Sequence, residues 1–152
     1  MILDERNEFC DATALNTGAA GTYLIGDQID LGTARDVGNG QPMYLVITVD
    51  TLPTSADSTA TAQFSLASDA SASIATDGSA TVHLQTKAFA ISEMAAGTVL
   101  AAIALPMEGV AYERYLGILQ TTGTQAFTGG KVNAFLTHDV AKWKSYDAPF
   151  QA

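Results

Sequence analysis

Few residues of this 152-residue chain have the types and spacing that catalysis requires. The chain has two histidines and one cysteine, Cys10, for which a buried thiol is favoured over a reactive one. His83 lies in a stretch of alternating apolar and polar residues, and the alternation predicts an exposed side chain. His138 and Asp139 are adjacent, so in a strand they point to opposite faces and cannot pair directly. The sequence therefore gives no reason to expect an enzyme.

Binding motifs for metals and phosphates are incomplete. One Cys and two His leave too few soft ligands for a structural zinc site. Gly38–Gly40 lacks the third glycine and the following helix of a dinucleotide loop, and Gly129–Lys131 lacks the flanking residues of a phosphate loop. Asp27, Asp30 and Asp36 lack the fixed spacing of a calcium loop, so a solvated acidic rim is the favoured interpretation. We expect no cofactor and no metal.

The chain is strongly acidic, with a formal net charge of −9. Between Arg35 and Lys87 there is no Lys or Arg, whereas five Asp lie there. Such a surface repels phosphate backbones and anionic lipids, so we expect neither nucleic acid nor a membrane as partner. A basic protein surface would suit it. The N-terminus does not resemble a secretory signal, and the apolar run Val99–Met107 is far shorter than the ~18 residues that span a bilayer. We expect a soluble protein made in a cytoplasm.

Alternating side chains predict a β-rich fold organised around Pro42–Asp50. This stretch has one fully apolar face and one mixed face, which places it mid-sheet over the core. Tyr23–Leu31 is a further strand, interrupted by a bulge or turn at Gly26–Asp27, and Thr98–Leu105, apolar on both faces, is predicted to be a central strand. The remaining strands are expected at 60–66, 81–88, 112–121 and 131–139, with a polar loop at 67–80. Seven or eight short strands with almost no helix predict an all-β, jelly-roll-like β-sandwich.

The sandwich is expected to span residues 22–140, with short arms at both ends. Residues 1–21 are predicted to be an N-terminal arm and residues 141–152 a C-terminal tail. The tail contains the only tryptophan, Trp143. Its aromatic residues either pack back on the sandwich of their own chain or anchor on another subunit, because Trp and Tyr are favoured at interfaces. The sequence leaves both alternatives open.

Several stretches together resemble the capsid cement (head decoration) proteins of tailed bacteriophages. They are MILDERNEFCDATAL at 1–15, IDLGTARDVGNGQPMYLVITVD at 29–50, FSLASD at 64–69, ERYLGIL at 113–119 and GGKVNAFLTHDVAKWKSYD at 129–147. The stretch at 29–50 is the most specific of these. Residues 70–95 resemble the family least, and we expect loops to differ there.

The resemblance implies a jelly-roll protein made in the host bacterial cytoplasm and carried on the outer surface of the phage capsid. Such a protein clamps neighbouring copies of the major capsid protein without a covalent bond, and associates with itself as a homodimer or homotrimer. Six residues are the expected contacts with the shell or with a second copy: Ile2, Leu3, Arg35, Asp36, Trp143 and Tyr146. Arg35 and Asp36 are equally suited to stabilising their own turn. Arg114 is expected to pair with a carboxylate within its own chain.

A carbohydrate-binding jelly roll, serving as an adsorption module on a virion, is the alternative. Such a module exposes aromatic side chains on one sheet face, where they stack on sugar rings. The aromatic residues here sit mostly among apolar neighbours, which is the pattern of a core.

Overall fold

The computed structural model describes residues 4–35, 37 and 40–140. Within these ranges two 3-10 turns, at Glu5–Asn7 and Ile91–Glu93, accompany nine strands. The strands are β1 (Glu8–Ala14), β2 (Gly21–Asp30), β3 (Tyr44–Ser55), β4 (Thr61–Asp69), β5 (Thr81–Gln85), β6 (Phe89–Ala90), β7 (Val99–Ala104), β8 (Tyr115–Gly123) and β9 (Phe127–Thr137).

The strands form two antiparallel sheets that pack as a sandwich. The first sheet has the order β1-β9-β3-β7, and the second has the order β2-β8-β4-β5, with the short β6 added beside β4. Apart from β6, the strands match from the ends of the chain inward: β1 with β9, β2 with β8, β3 with β7 and β4 with β5. Except between β4 and β5, each step from one of these eight strands to the next moves to the other sheet, which is jelly-roll topology. The predicted all-β, jelly-roll-like sandwich is confirmed.

The core lies between the sheets, and β3 is central to it. This strand lies between β9 and β7, as its pattern predicts. Its inward residues Leu45, Ile47 and Val49 are buried and belong to one cluster with residues of the second sheet such as Phe64 and Ile118. Each fully buried side chain of this size contributes roughly 1.5–3 kcal/mol to stability.

The prediction of an arm over residues 1–21 is wrong for Glu8–Ala14. This segment is strand β1, which pairs with β9 and buries Phe9 and Cys10 in the core. The pairing has two register shifts, one between Glu8 and Cys10 and one between Cys10 and Thr13. Because bulges break the strict alternation of side chains, the sequence pattern did not identify this strand.

The sequence predicts a bulge or turn at Gly26–Asp27, within the strand Tyr23–Leu31. In the structure this interruption is a bulge within β2. The register with β8 shifts between Ile25 and Ile29, and Gly26 has a φ of 67°. A Cβ atom at Gly26 would lie 1.9 Å from the carbonyl oxygen of Phe9 and 2.6 Å from Cys10 Sγ. Glycine therefore lets β1 and β2 approach each other where the two sheets meet.

The loop between β4 and β5 covers the outer face of the second sheet. Ile74, in the middle of this loop, is buried and packs with Ala67, Leu119 and Leu24. Gly117 of β8 leaves room for it, because a Cβ atom there would lie 2.5 Å from Ile74 Cδ1. The loop predicted as polar thus contributes a small second cluster of apolar residues.

Candidate interaction surfaces

Cys10 is placed as a structural residue. Its side chain is buried at the junction of β1 and β2, and Sγ donates to the carbonyl oxygen of Ile25 at 3.9 Å. Burial raises the pKa of the Cys10 thiol to about 12. A thiol that stays protonated at neutral pH is a poor nucleophile, so the favoured interpretation of a buried thiol is confirmed.

The prediction that His83 is exposed is wrong. Its ring stacks on Tyr112 with the ring centroids 4.0 Å apart, and Nε2 forms a 2.7 Å hydrogen bond with Ser68 Oγ. The register of β4 with β5 shifts between Leu66 and Ala67, so the alternation is offset and Val82 is exposed instead. Ser68 is fully buried, and its hydrogen bond with the partly buried His83 joins β4 to β5.

The environment of His83 combines burial with a nearby carboxylate. The backbone N–H of Glu113 donates to Ser68 Oγ at 3.0 Å, and Thr81 Oγ1 donates to the Glu113 carboxylate at 2.9 Å. Burial lowers the pKa of His83, and the negative charge of Glu113 opposes that shift in part. Burial of the ring therefore favours its neutral form.

His138 joins the end of β9 to the start of β3. Its Nδ1 atom lies 2.9 Å from the carbonyl oxygen of Pro42. In the described ranges, no three side chains of His, Cys, Asp or Glu converge on a point that could hold a metal ion. No helix of the described residues has the length and apolar character needed to cross a membrane.

Arg114 forms an ion pair with Asp30, as predicted. The guanidinium donates two hydrogen bonds of 2.8 Å, from Nε and Nη2, to the two carboxylate oxygens of Asp30. The backbone N–H of Gly32 donates to the same carboxylate at 2.7 Å. These bonds lower the pKa of Asp30 to about 2, with the Arg114 hydrogen bond as the largest cause. Arg114 thus ties the start of β8 to the end of β2.

Of the six predicted contact residues, only Arg35 is described. It is exposed in the segment after β2 and lines a cleft of about 420 Å³ together with Arg6, over a floor that includes Met43 and Leu136. The other five residues lie outside the described ranges: Ile2, Leu3, Asp36, Trp143 and Tyr146. Their predicted contacts remain predictions.

Carboxylates crowd one side of the sandwich. Glu5, Glu8, Asp11 and Asp27 line a cleft of about 340 Å³ where β1 meets β2. In the described ranges the basic residues are few: Arg6, Arg35, Lys87, Arg114 and Lys131. Two of them are engaged in ion pairs, Lys87 with Glu93 and Arg114 with Asp30. Carboxylates therefore outnumber basic groups in the described part of the chain.

The prediction that Thr98–Leu105 forms a central strand is wrong, because β7 is the last strand of the first sheet. It pairs with β3 along one edge, and no described strand pairs with the other. Near this edge Ile103 is 38% exposed, Met107 54% and Val110 68%. The strand and the residues up to Met107 contain no charge. A strand with the apolar pattern of a sheet centre thus stands at a sheet edge, and we call it the β7 edge.

The β7 edge has backbone groups that face away from β3, on a side where no described strand pairs. Leu105 N donates to Met43 O at 2.8 Å, and hydrogen-bonded positions recur at every second residue of an antiparallel pair. Ile103 and Ala101, which pair with Leu45 and Ile47, therefore direct their backbone groups toward β3. The backbone groups of the intervening residues point away from the sheet. Most natural edge strands avoid such an arrangement with charges or prolines.

Residues 9–136 match the sequence model of the family described as Bbp16. The chain belongs to the Bbp16 family. The Bbp16 match includes the whole sandwich except the first residue of β1 and the last residue of β9. The β7 edge, Arg35 and Asp36 fall inside the Bbp16 region, whereas the predicted contact residues at the two ends of the chain fall outside it. A search of curated proteins gives no match.

Proposed function

We propose that this protein is a structural virion protein that binds the outside of a bacteriophage head and cements neighbouring major capsid proteins. The β7 edge is the observation that carries the proposal. Its residues have the composition of a strand buried on both faces and paired on both sides, yet one side has no partner strand among the described residues. A second chain that pairs there would give β7 the surroundings its sequence is suited to. The resemblance to capsid cement proteins supports the same function.

Strand addition is the binding mode that this edge favours. An extended segment of the major capsid protein, or the matching edge of a second copy, would bond to the outward backbone groups of β7. The side chains of Ile103 and Met107 would then be covered. Because Val99–Met107 is uncharged, two acidic molecules can meet there without placing carboxylates opposite one another. Association with itself as a homodimer or homotrimer is therefore part of the proposal.

Weak single contacts are sufficient for a protein of this kind. Many copies bind one shell, and linked sites gain affinity through effective concentration. The jelly roll supplies a rigid body between the contacts, and the proposed role requires no catalytic group, cofactor or metal.

Co-sedimentation with capsids that lack the protein tests the proposal. We expect saturable binding at a fixed ratio to the major capsid protein. Ile103→Lys should weaken that binding at least tenfold, because a lysine on an edge strand opposes pairing with another strand. Val82→Lys is the matched control, since Val82 is also an exposed apolar residue on an edge strand, β5, and the charge change is the same. It should bind as the unaltered protein does.

Two results would count against the proposal. Absence of binding by a folded protein would exclude the cement role, and equal losses in both lysine variants would exclude the β7 edge as the contact. A glycan array then tests the carbohydrate-binding alternative. Phe64, Tyr112 and Phe135 are buried, which does not suit stacking on sugars, so we expect no glycan to bind.

A further inference from the structure

The cleft that Arg6 and Arg35 line gathers positive charge on a strongly acidic chain, and we call it the arginine cleft. Of the five basic residues in the described ranges, Lys87 and Arg114 are held in ion pairs. Two of the other three, Arg6 and Arg35, line this one cleft. Both are exposed, and neither forms an ion pair with another described residue. Their guanidinium groups are therefore placed to receive an anionic group from a partner.

The acidic residue of the arginine cleft does not supply that anionic group. Among the described residues that line the cleft, only Asp30 is acidic. Both of its carboxylate oxygens accept hydrogen bonds from Arg114, at 2.8 Å each, and one also accepts from the backbone N–H of Gly32 at 2.7 Å. Arg114 offsets the charge of Asp30, so Arg6 and Arg35 are the excess charge of the cleft. A carboxylate is the group that a guanidinium binds with two parallel hydrogen bonds.

The floor of the arginine cleft is apolar. Val37 is 8% exposed and Leu136 3%, and both belong to the main core cluster. Ile29, Leu31 and Met43 are partly buried and pack against the same cluster. The cleft has a volume of about 420 Å³ and takes residues from both sheets, so it lies at an end of the sandwich. Arginines beside an apolar floor suit a segment that has a carboxylate next to an apolar side chain.

The arginine cleft is continuous with the β7 edge. The carbonyl oxygen of Met43 accepts from the N–H of Leu105, the residue directly after β7, at 2.8 Å. Leu136 is the register partner of Leu45, which pairs on its other side with Ile103 of β7. Because neighbouring strands lie about 4.8 Å apart, Met43 and Leu136 lie about one and about two strand spacings from β7. A single extended partner segment that pairs with the β7 edge can therefore also reach the cleft.

We propose that the arginine cleft binds a segment of the major capsid protein in which a carboxylate side chain lies next to an apolar one. Arg6 and Arg35 hold the carboxylate, and the apolar side chain covers Met43. The inference rests on the proposed cement function and adds a second contact beside the β7 edge. Because the rest of this acidic surface repels carboxylates, the cleft accepts one at a single place and so determines how the protein is oriented on the shell.

Co-sedimentation with capsids that lack the protein tests this contact. In the double variant Arg6→Gln/Arg35→Gln we expect binding to weaken about tenfold or more, because the carboxylate then loses its charged donors. Lys87→Gln/Lys131→Gln is the matched control, since it removes two positive charges at exposed residues outside the cleft. It should bind as the unaltered protein does. If the arginine double variant fails to fold, Arg35→Gln alone should show a smaller loss than the double variant predicts, with Lys131→Gln as its control.

The possible results separate this proposal from the cement function. Equal losses in the two double variants would overturn the arginine cleft, by assigning the effect to net charge. Unchanged binding of the arginine variant, together with a loss in Ile103→Lys, would overturn the cleft and leave the cement function standing. Absence of binding by the folded, unaltered protein would overturn both. A change in the oligomeric state of the arginine variant without capsids, measured by analytical ultracentrifugation, would also overturn the proposal, by assigning the cleft to a second copy.

Discussion

The pKa of His83 makes the stability of the fold depend on pH. Burial between Tyr112 and Ser68 lowers that pKa from its ordinary value of 6.5, so the folded state binds this proton less readily than the unfolded state. The free energy of unfolding therefore falls as the pH drops through about 6.5, and the contribution of His83 is fully present at higher pH. Urea titrations at pH 8 and pH 5.5 should show this loss in the unaltered protein.

His83→Gln is the control for that titration, because glutamine can hydrogen-bond to Ser68 but does not titrate. Its free energy of unfolding should change less between the same two pH values. The depressed pKa of Asp30, about 2, affects stability only at much lower pH. Equal losses in the variant and in the unaltered protein would assign the effect to other groups.

Substitution of Gly26, which lies where β1 and β2 approach each other, is expected to destabilise the fold more than substitution of an exposed glycine. In Gly26→Ala the new Cβ would overlap the carbonyl oxygen of Phe9, and the φ of 67° disfavours any residue with a side chain. We expect a loss of about 2–4 kcal/mol in the free energy of unfolding, measured by denaturant titration. Gly32→Ala separates the two causes, because Gly32 also has a positive φ but no atom within 4 Å of the new Cβ. It should cost only about 1–2 kcal/mol.

Among the elements, strands with strict alternation could be predicted from the sequence. The pattern of Pro42–Asp50 predicts a mid-sheet strand with its apolar face toward the core, and β3 has this position and orientation, since its period of two is unbroken. Strand β1 was missed because its two register shifts remove the alternation that identifies a strand. His83 was misplaced for the same reason, by the shift between β4 and β5.

The position of β7 could not be predicted in this way. An apolar pattern indicates that both faces of a strand are suited to burial. It does not indicate whether the strand has one neighbouring strand or two. For Thr98–Leu105 the pattern predicted a central strand, and the topology places it at an edge. Ile74 shows a related limit, because a single apolar residue among small polar ones gives no signal that its loop covers a sheet.

At the scale of the whole molecule, the net charge of −9 predicts salt-sensitive binding to the capsid. Attraction between exposed charges is screened within ~10 Å at 0.1 M salt and within ~3 Å at 1 M. The co-sedimentation midpoint should therefore move to higher protein concentration as NaCl is raised over this range. Binding that strengthens with salt would instead assign the contact to apolar area alone, and the acidic surface would then serve only solubility.

The matching of strands from the two ends of the chain inward also determines the order in which the protein can fold. The bond from Ala12 N to Asn133 Oδ1 joins residues 121 positions apart, whereas β4 and β5 are neighbours in the chain. During synthesis β1 leaves the ribosome first, yet its partner β9 leaves last. Pairings between strands that are far apart in the sequence are slow to form, so β1 is expected to remain unpaired while the strands in the middle of the chain pair. A ribosome that stops before β9 would release a chain in which both β1 and β3 lack a neighbour, and a nascent chain in this state is a natural substrate for chaperones.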